Sequence, residues 1–285
     1  MKAHSRDDTA DGPPAHLAFR RKLTPSMVTR ELWKARHLVW TLTERDFRVK
    51  YKQAALGVAW ALLTPLAMMV VFTLVFQRVA KYDTGRVPYP LFAYVALVPW
   101  SFFSASITSG AASLLTNKSL LNKVYCPREV FPLSSLGSAA LGAVLSMSVL
   151  AALFVWYGFA PHAEALLTPL LFAIELAFTA GVVLLLSALF VYARDLQHLL
   201  PILMQLAVLA TPVAYALEEI PKSLRIVYCI VNPLAPVIDG YRKLVLYGEA
   251  PDGLLLAIAA TASLGWLIGG FVLFKKLERR FADVA

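Results

Sequence analysis

The chain has 285 residues, of which 59% are hydrophobic and only 16% charged, and its apolar residues gather in stretches of membrane-spanning length. A water-soluble domain carries about 25% charged residues, so a single globule with an aqueous surface is excluded. The formal charge of +9 belongs to the loops flanking these stretches rather than to a basic soluble domain, which removes nucleic acid from the expected partners.

Residues 1–25 read as a flexible cytoplasmic tail, with Asp7, Asp8, Asp11, Gly12, Pro13 and Pro14 and little apolar content. No short apolar core precedes a cleavage site in this region, so the N-terminus is expected to stay attached on insertion. A helix is predicted over 26–53. Trp33, Trp40 and Phe47 sit seven apart on one side of it, while Lys34, Arg45, Arg48 and Lys52 fall on another, roughly 120° away. A basic, aromatic helix ahead of a first span is expected to lie in the interface against anionic headgroups.

The membrane-embedded part follows over 54–285. Spans are predicted at 54–76, 91–115, 130–157, 166–192, 198–217 and 254–274, which gives an all-α integral membrane protein of six transmembrane helices. The segment about 218–250 is different. Two short apolar runs, 226–231 and 234–247, are broken by Asn232, Pro233 and Pro236. A full span here would bury Asp239, Arg242 and Lys243, at about 2.5–3.5 kcal/mol each. A re-entrant helical hairpin dipping in from the periplasmic face is expected instead.

Basic residues set the orientation. Twelve Lys and Arg precede the first span, and Lys118, Lys123, Arg128, Arg194, Lys275, Lys276, Arg279 and Arg280 fall on the same side. Arg78, Lys81, Arg86, Lys222, Arg225, Arg242 and Lys243 fall on the other. Twenty against seven predicts that both termini are cytoplasmic, in a multi-pass membrane protein.

Catalytic signals are weak. No glycine is followed by Lys and then Ser or Thr, and there is no Gly-x-Ser-x-Gly, His-Glu-x-x-His or Cys-x-x-Cys. His4, His16, His37, His162 and His198 have no ligand partner at i+3 or i+4. Cys126 and Cys229 fall on opposite sides of the predicted topology, so no intrachain disulfide is expected. No catalytic or metal residue and no cofactor is therefore assigned to this chain. If ATP drives it, another chain hydrolyses the ATP.

Three stretches carry a resemblance. The first is Arg45-Asp46-Phe47-Arg48-Val49-Lys50-Tyr51-Lys52-Gln53, running into Leu56-Gly57-Val58-Ala59-Trp60 and Pro65. The second, 117–132, holds Leu120, Lys123-Val124-Tyr125 and Pro127-Arg128-Glu129. The third is Tyr192-Ala193-Arg194-Asp195-Leu196, then Thr211-Pro212-Val213, then Asn232-Pro233-Leu234-Ala235-Pro236 and Asp239-Gly240-Tyr241-Arg242. In order and spacing they resemble the membrane subunits of type-2 ABC exporters of O-antigen, capsular polysaccharide and teichoic acid. Cys126 stands where an aromatic looks more typical, and Thr211 where Ser does.

The resemblance implies a homodimer of this chain with two copies of an ABC ATPase that holds ATP and Mg, exporting a lipid-linked polysaccharide. It makes 117–132 the loop that docks into the ATPase, with Lys123, Tyr125, Pro127, Arg128 and Glu129 as coupling residues; Arg194 and Asp195 at the next turn are candidates for a second contact, or else a local ion pair. Tyr and Arg are also the residue types that concentrate binding energy at interfaces. Tyr94, Trp100, Phe102 and Phe103 are candidates for a pathway that stacks on sugar rings, or else interfacial anchors. Trp33, Trp40, Phe47 and Arg48 are candidates for the gate where substrate enters.

Glu175 is the acid well inside a span, read as a helix–helix hydrogen bond rather than a proton relay. Ser134, Ser138, Gly142 and Ser146 form an i+4 ridge, and Gly265 with Gly269 a GxxxG, both read as close helix packing. Two rival readings are an ABC permease for drugs or simple lipids and a membrane-embedded glycan or lipid transferase. The second needs paired polar catalytic groups, for which Glu218, Glu219 and Asp239 are the nearest candidates.

Overall fold

Hydrocarbon offers the backbone no hydrogen-bond partners, so a chain this apolar folds into helices. The computed structural model describes residues 33–52, 57, 59–121, 126–193 and 195–278, and its regular elements are all helical. In chain order they are α1 (Arg36–Lys52), α2 (Ala59–Phe72), α3 (Tyr89–Thr116), α4 (Lys118–Leu121) and α5 (Val130–Trp156). Then come α6 (Thr168–Tyr192), α7 (Leu196–Ala210), α8 (Lys222–Val231), α9 (Leu234–Arg242) and α10 (Gly253–Glu278). The 1–25 tail lies outside the described residues, as does the start of the helix predicted over 26–53.

Five helical stretches among the described residues are long and apolar enough to cross a membrane: Ala59–Val79, Tyr89–Thr116, Val130–Trp156, Ala163–Tyr192 and Gly253–Glu278. The stretch predicted as a span at 198–217 forms the shorter helix α7. Its 15 residues rise about 22 Å, less than the roughly 30 Å of hydrocarbon. Pro212 explains the early stop, because it lacks the N–H the next turn needs and pushes Thr211 into an extended conformation.

The bundle is built around α3. Within its apolar stretch 78% of residues are buried, against 17% for α2 and 22% for α5 and for α10. α3 packs on α5 and α6, α6 packs on α10, and α1 lies across α5. Small residues set the closest crossings. A Cβ on Gly270 of α10 would come within 2.1 Å of the Gly181 carbonyl oxygen of α6, and one on Gly181 within 2.3 Å of the Trp266 carbonyl oxygen. These backbones touch directly, as in small-residue membrane interfaces. Gly265 and Gly269, by contrast, face open space. The expected GxxxG is therefore not the seam within the chain; its neighbour Gly270 is.

The Ser134–Ser146 ridge divides between two tasks. A Cβ on Gly137 beside it would strike Thr43 Oγ1 at 2.5 Å, so this part of α5 receives α1. Farther along, Gly142 and Ser146 turn toward α2 and α3.

Candidate functional site

Three clusters join residues far apart in the sequence, and each unites segments of the motif pattern. The first locks α1 onto the bundle. Arg45 donates to Asp46 Oδ1 (3.0 and 2.7 Å) and to Asn117 Oδ1 (2.7 Å), where α3 ends. Ser134 of α5 donates to Asp46 Oδ2 (3.1 Å), and Thr43 donates to the Ser134 carbonyl (3.2 Å). Arg45 thus turns inward rather than joining a uniform basic face. Trp33 and Trp40 are 70% and 62% exposed, Phe47 is half-buried, and exposed Arg48 pairs with Glu44. The gate candidates therefore share the outward side of α1 only in part.

The second cluster lies at the same end of the bundle, where α5 begins and α10 finishes. Glu129 is 1% exposed and pairs with Lys275, which also bridges to Glu278 Oε2 at 2.9 Å. Arg128 donates to the Glu278 carbonyl (3.0 Å), and Tyr192 to the Leu277 carbonyl (2.7 Å). Of the coupling candidates, Arg128 and Glu129 are thus brought together with α10, a partnership no sequence spacing announced. Pro127 precedes them half-buried, and Asp195 is exposed before α7. Lys123, Tyr125 and Arg194 lie outside the described residues. Burial pushes the Cys126 thiol above its ordinary range.

The third cluster, at the opposite end, is centred on Arg242. Its guanidinium is buried and donates to the carbonyls of Phe92 (3.1 Å), Pro212 (2.8 Å), Val213 (2.5 Å) and Tyr215 (2.7 Å). It also lies 3.6 Å from the centroid of the Phe92 ring. Tyr89 donates to the Ala214 carbonyl, Tyr82 accepts from the Ala216 N–H, and Asn232 donates to Thr211 Oγ1. The Thr-Pro-Val, Asn-Pro and Asp-Gly-Tyr-Arg motifs are therefore one staple around an unwound segment. Asp239 and Glu218 both pair with Lys243, at 2.8 and 3.4 Å, so two of the three carboxylates raised for a transferase are engaged in ion pairs. Glu175 of α6 accepts from the Tyr241 hydroxyl at 3.2 Å, which ties α9 to the bundle.

Between the two ends runs a groove of about 420 Å³, open on one side, formed by α2, α3 and α5. Ser101, Ser104, Thr108 and Ser109 line it from α3, Trp60 and Thr64 from α2, and Gly142 and Ser146 from α5, with Lys50 of α1 at one end. Ser104, Thr108, Ser109 and Thr64 each donate to a carbonyl of their own helix, at 2.6–3.4 Å. Their donors are satisfied, and their lone pairs remain able to accept from a polar ligand. Sequence reasoning missed this stripe. Its signal was there: 101, 104 and 108 follow the i, i+3, i+7 rhythm of one helix face.

The aromatic pathway candidates are placed elsewhere. Tyr94 is enclosed and donates to the Ser146 carbonyl (3.3 Å). Phe102 packs on Phe172 and Phe103 stacks on Phe178, with ring centroids 5.2 and 5.5 Å apart. Trp100 packs on Phe103 and is likewise buried. In this conformation none of the four presents a face to a passing ligand; helix packing consumes them.

Comparison with known proteins decides what this arrangement belongs to. Residues 37–246 match the family model described as ABC-2 type transporter. The chain is a member of that family. It is 32% identical over 257 residues to the O-antigen export system permease protein RfbA of Myxococcus xanthus, covering 90% of this chain and 98% of the relative. An RfbA of Klebsiella pneumoniae is 28% identical over 248 residues, covering 87% and 94%. The polysialic acid transport protein KpsM of Escherichia coli is 24% identical over 239 residues, covering 82% and 91%. The ABC-2 match begins within α1 and ends beside the Arg242 staple, so all three clusters belong to the family's own region except the α10 side of the second.

Proposed function

We propose that this chain is the transmembrane subunit of an ABC transporter that exports a lipid-linked polysaccharide of O-antigen type across the bacterial inner membrane. ATP is bound, with Mg, and hydrolysed on a separate ATPase chain. Relatives named for O-antigen and polysialic acid export support the substrate class. The observation that carries the reading is the hydroxyl-lined groove in an otherwise apolar bundle. A glycan crossing a membrane needs acceptors for its hydroxyls, yet contacts weak enough to release it. A row of Ser and Thr whose own donors are satisfied supplies both.

The groove of a single copy is open on one side, so the pathway is completed by a second copy, giving a homodimer bound to two ATPase subunits. The end bearing Lys275 and α1 faces the cytoplasm, as the surplus of Lys and Arg in its loops favours. α7 then completes a sixth crossing together with the unwound segment after it. α8 and α9 form a re-entrant hairpin from the periplasmic side, and α1 lies at the interface as the gate, presenting Trp33, Trp40, Phe47 and Arg48 to the lipid carrier. Residues 117–132 are the ATPase-docking loop, with Lys123, Tyr125 and Pro127 as its contacts and Arg194 with Asp195 beside them. Tyr94, Trp100, Phe102 and Phe103 act from behind the groove, holding α3 so that its hydroxyls stay aligned.

The test is complementation in cells that lack their own O-antigen export permease, with glycan at the surface as readout and co-purification of the ATPase as a second measure. Surface glycan restored by this chain, and lost when Ser104 and Thr108 are both changed to Leu while the ATPase still co-purifies, supports the proposal. Unchanged export by that variant removes the groove as the pathway.

A further inference from the structure

The coupling loop leads into α5, and the structure shows what lies behind it. Glu129 is the last residue before α5, nearly without solvent exposure, and its carboxylate meets Lys275 near the end of α10. Lys275 is held from its other side by Glu278, and Arg128 caps the same turn through the Glu278 carbonyl. Tyr192, at the end of α6, anchors the adjacent Leu277 carbonyl. Three helix ends therefore meet in one network whose charges are mostly removed from water.

We infer that Arg128, Glu129, Lys275 and Glu278 form an internal latch that transmits movement of the docked loop to α10 as well as to α5. The reasoning is mechanical and electrostatic. A loop attached only through α5 could tilt that helix and leave α10 behind. A buried carboxylate–ammonium pair resists separation, because each charge left alone would lie in low dielectric without a partner. α10 in turn lies against Gly181 of α6 with backbone touching backbone, so displacement of α10 carries α6, and α6 packs on α3, the helix that bears the groove's Ser and Thr row. Arg128 and Glu129 thus act through other residues of this chain as positioning residues. Contact with the ATPase falls to the part of the loop that precedes them. This inference rests on the proposed ATPase partnership.

The test uses the purified complex of the full chain with its ATPase in lipid nanodiscs and liposomes. Three quantities are measured: ATPase capture, ATP hydrolysis, and glycan transported per ATP. The variant Glu129→Gln with Lys275→Met removes the Glu129–Lys275 ion pair and leaves Glu278 with Arg128, 4.0 Å away, as its cationic neighbour. It should insert, capture the ATPase as the unaltered chain does and hydrolyse ATP, while transport per ATP falls about tenfold, a common size for coupling between sites. The charge swap Glu129→Lys with Lys275→Glu, made together with Glu278→Gln so that no two carboxylates face each other, should recover most of that loss. Unaltered transport per ATP in the neutral variant would overturn the latch. Loss of ATPase capture would overturn it too, by making Glu129 part of the docking surface. Failure of both variants to insert would reduce the cluster to a folding element and overturn its transmitting role. If the unaltered chain fails to capture the ATPase, the proposed function falls instead, so the two failures are distinct.

Discussion

Replacing Arg242 by Met keeps an unbranched apolar stem and deletes the guanidinium, so the buried carbonyls of Phe92, Pro212, Val213 and Tyr215 lose their donor together. Hydrogen bonds to a charged group are worth about 1.5–3 kcal/mol each, which would sum to several times the stability of a typical interaction. Part of that is returned, because the variant no longer has to desolvate a buried cation. Counting about 1 kcal/mol for each carbonyl left bare gives a net loss of roughly 4 kcal/mol. For a chain of this size that corresponds to a fall in apparent melting temperature of about 10 °C. Arg242→Lys keeps the charge but cannot span carbonyls on two sides of the fork, and should fall between the two. The assay is thermal unfolding of the purified protein in detergent, with protease cleavage between α7 and α8 as a local readout. A shift of less than about 2 °C in Arg242→Met, with no new cleavage, would refute the idea that this side chain holds the unwound segment.

Gly270→Leu should destabilise the chain by about 1–3 kcal/mol or more, because its Cβ would meet backbone rather than a yielding side chain, whereas Gly269→Leu should change the stability of the isolated protomer by less than about 0.5 kcal/mol. Both are read by thermal unfolding in detergent, and equal effects would contradict the assigned seam. Arg45→Met should loosen α1 from the end of α3 at a cost of about 1 kcal/mol, seen as faster proteolysis within α1 while the other helices stay protected. Trp40→Ser with Phe47→Ser should impair glycan export or let ions leak while insertion survives, measured by surface glycan and by liposome conductance; unchanged values in both would remove α1 as a gate.

What could be read from sequence followed physical range. Each of the five long helices is announced by a stretch of some twenty predominantly apolar residues, and tertiary packing cannot reverse that signal. The stretch 198–217 was read as a full span because its composition stays apolar beyond Ala210; the helix ends there because Pro212 removes a donor, a local rule that a count of apolar residues overrides. Arg242 shows a different gap. Its charge was legible as a cost, but the carbonyl partners come from Phe92, 150 residues earlier, and from an unwound turn that only the fold creates. On α10, periodicity marked Gly265 and Gly269 as neighbours without saying which face meets α6, and one residue of rotation separates the open face from the seam. Tyr94, Trp100, Phe102 and Phe103 are large rings in a span, but large rings also fill cores, and all four are buried in this chain. The hydroxyl row beside them was readable from spacing alone.

The central claim is that polysaccharide travels along the groove of α2, α3 and α5, and photocrosslinking tests it most directly. A photoreactive amino acid is placed at Thr108, which lines the groove, and in a control chain at Leu264, an exposed apolar position of α10 away from it. Both chains are irradiated in cells that synthesise the glycan. The account predicts a glycan adduct at Thr108 that accumulates when ATP hydrolysis by the partner is blocked, and none above background at Leu264. Adducts of equal yield at the two positions, or an adduct at Leu264 alone, would contradict it.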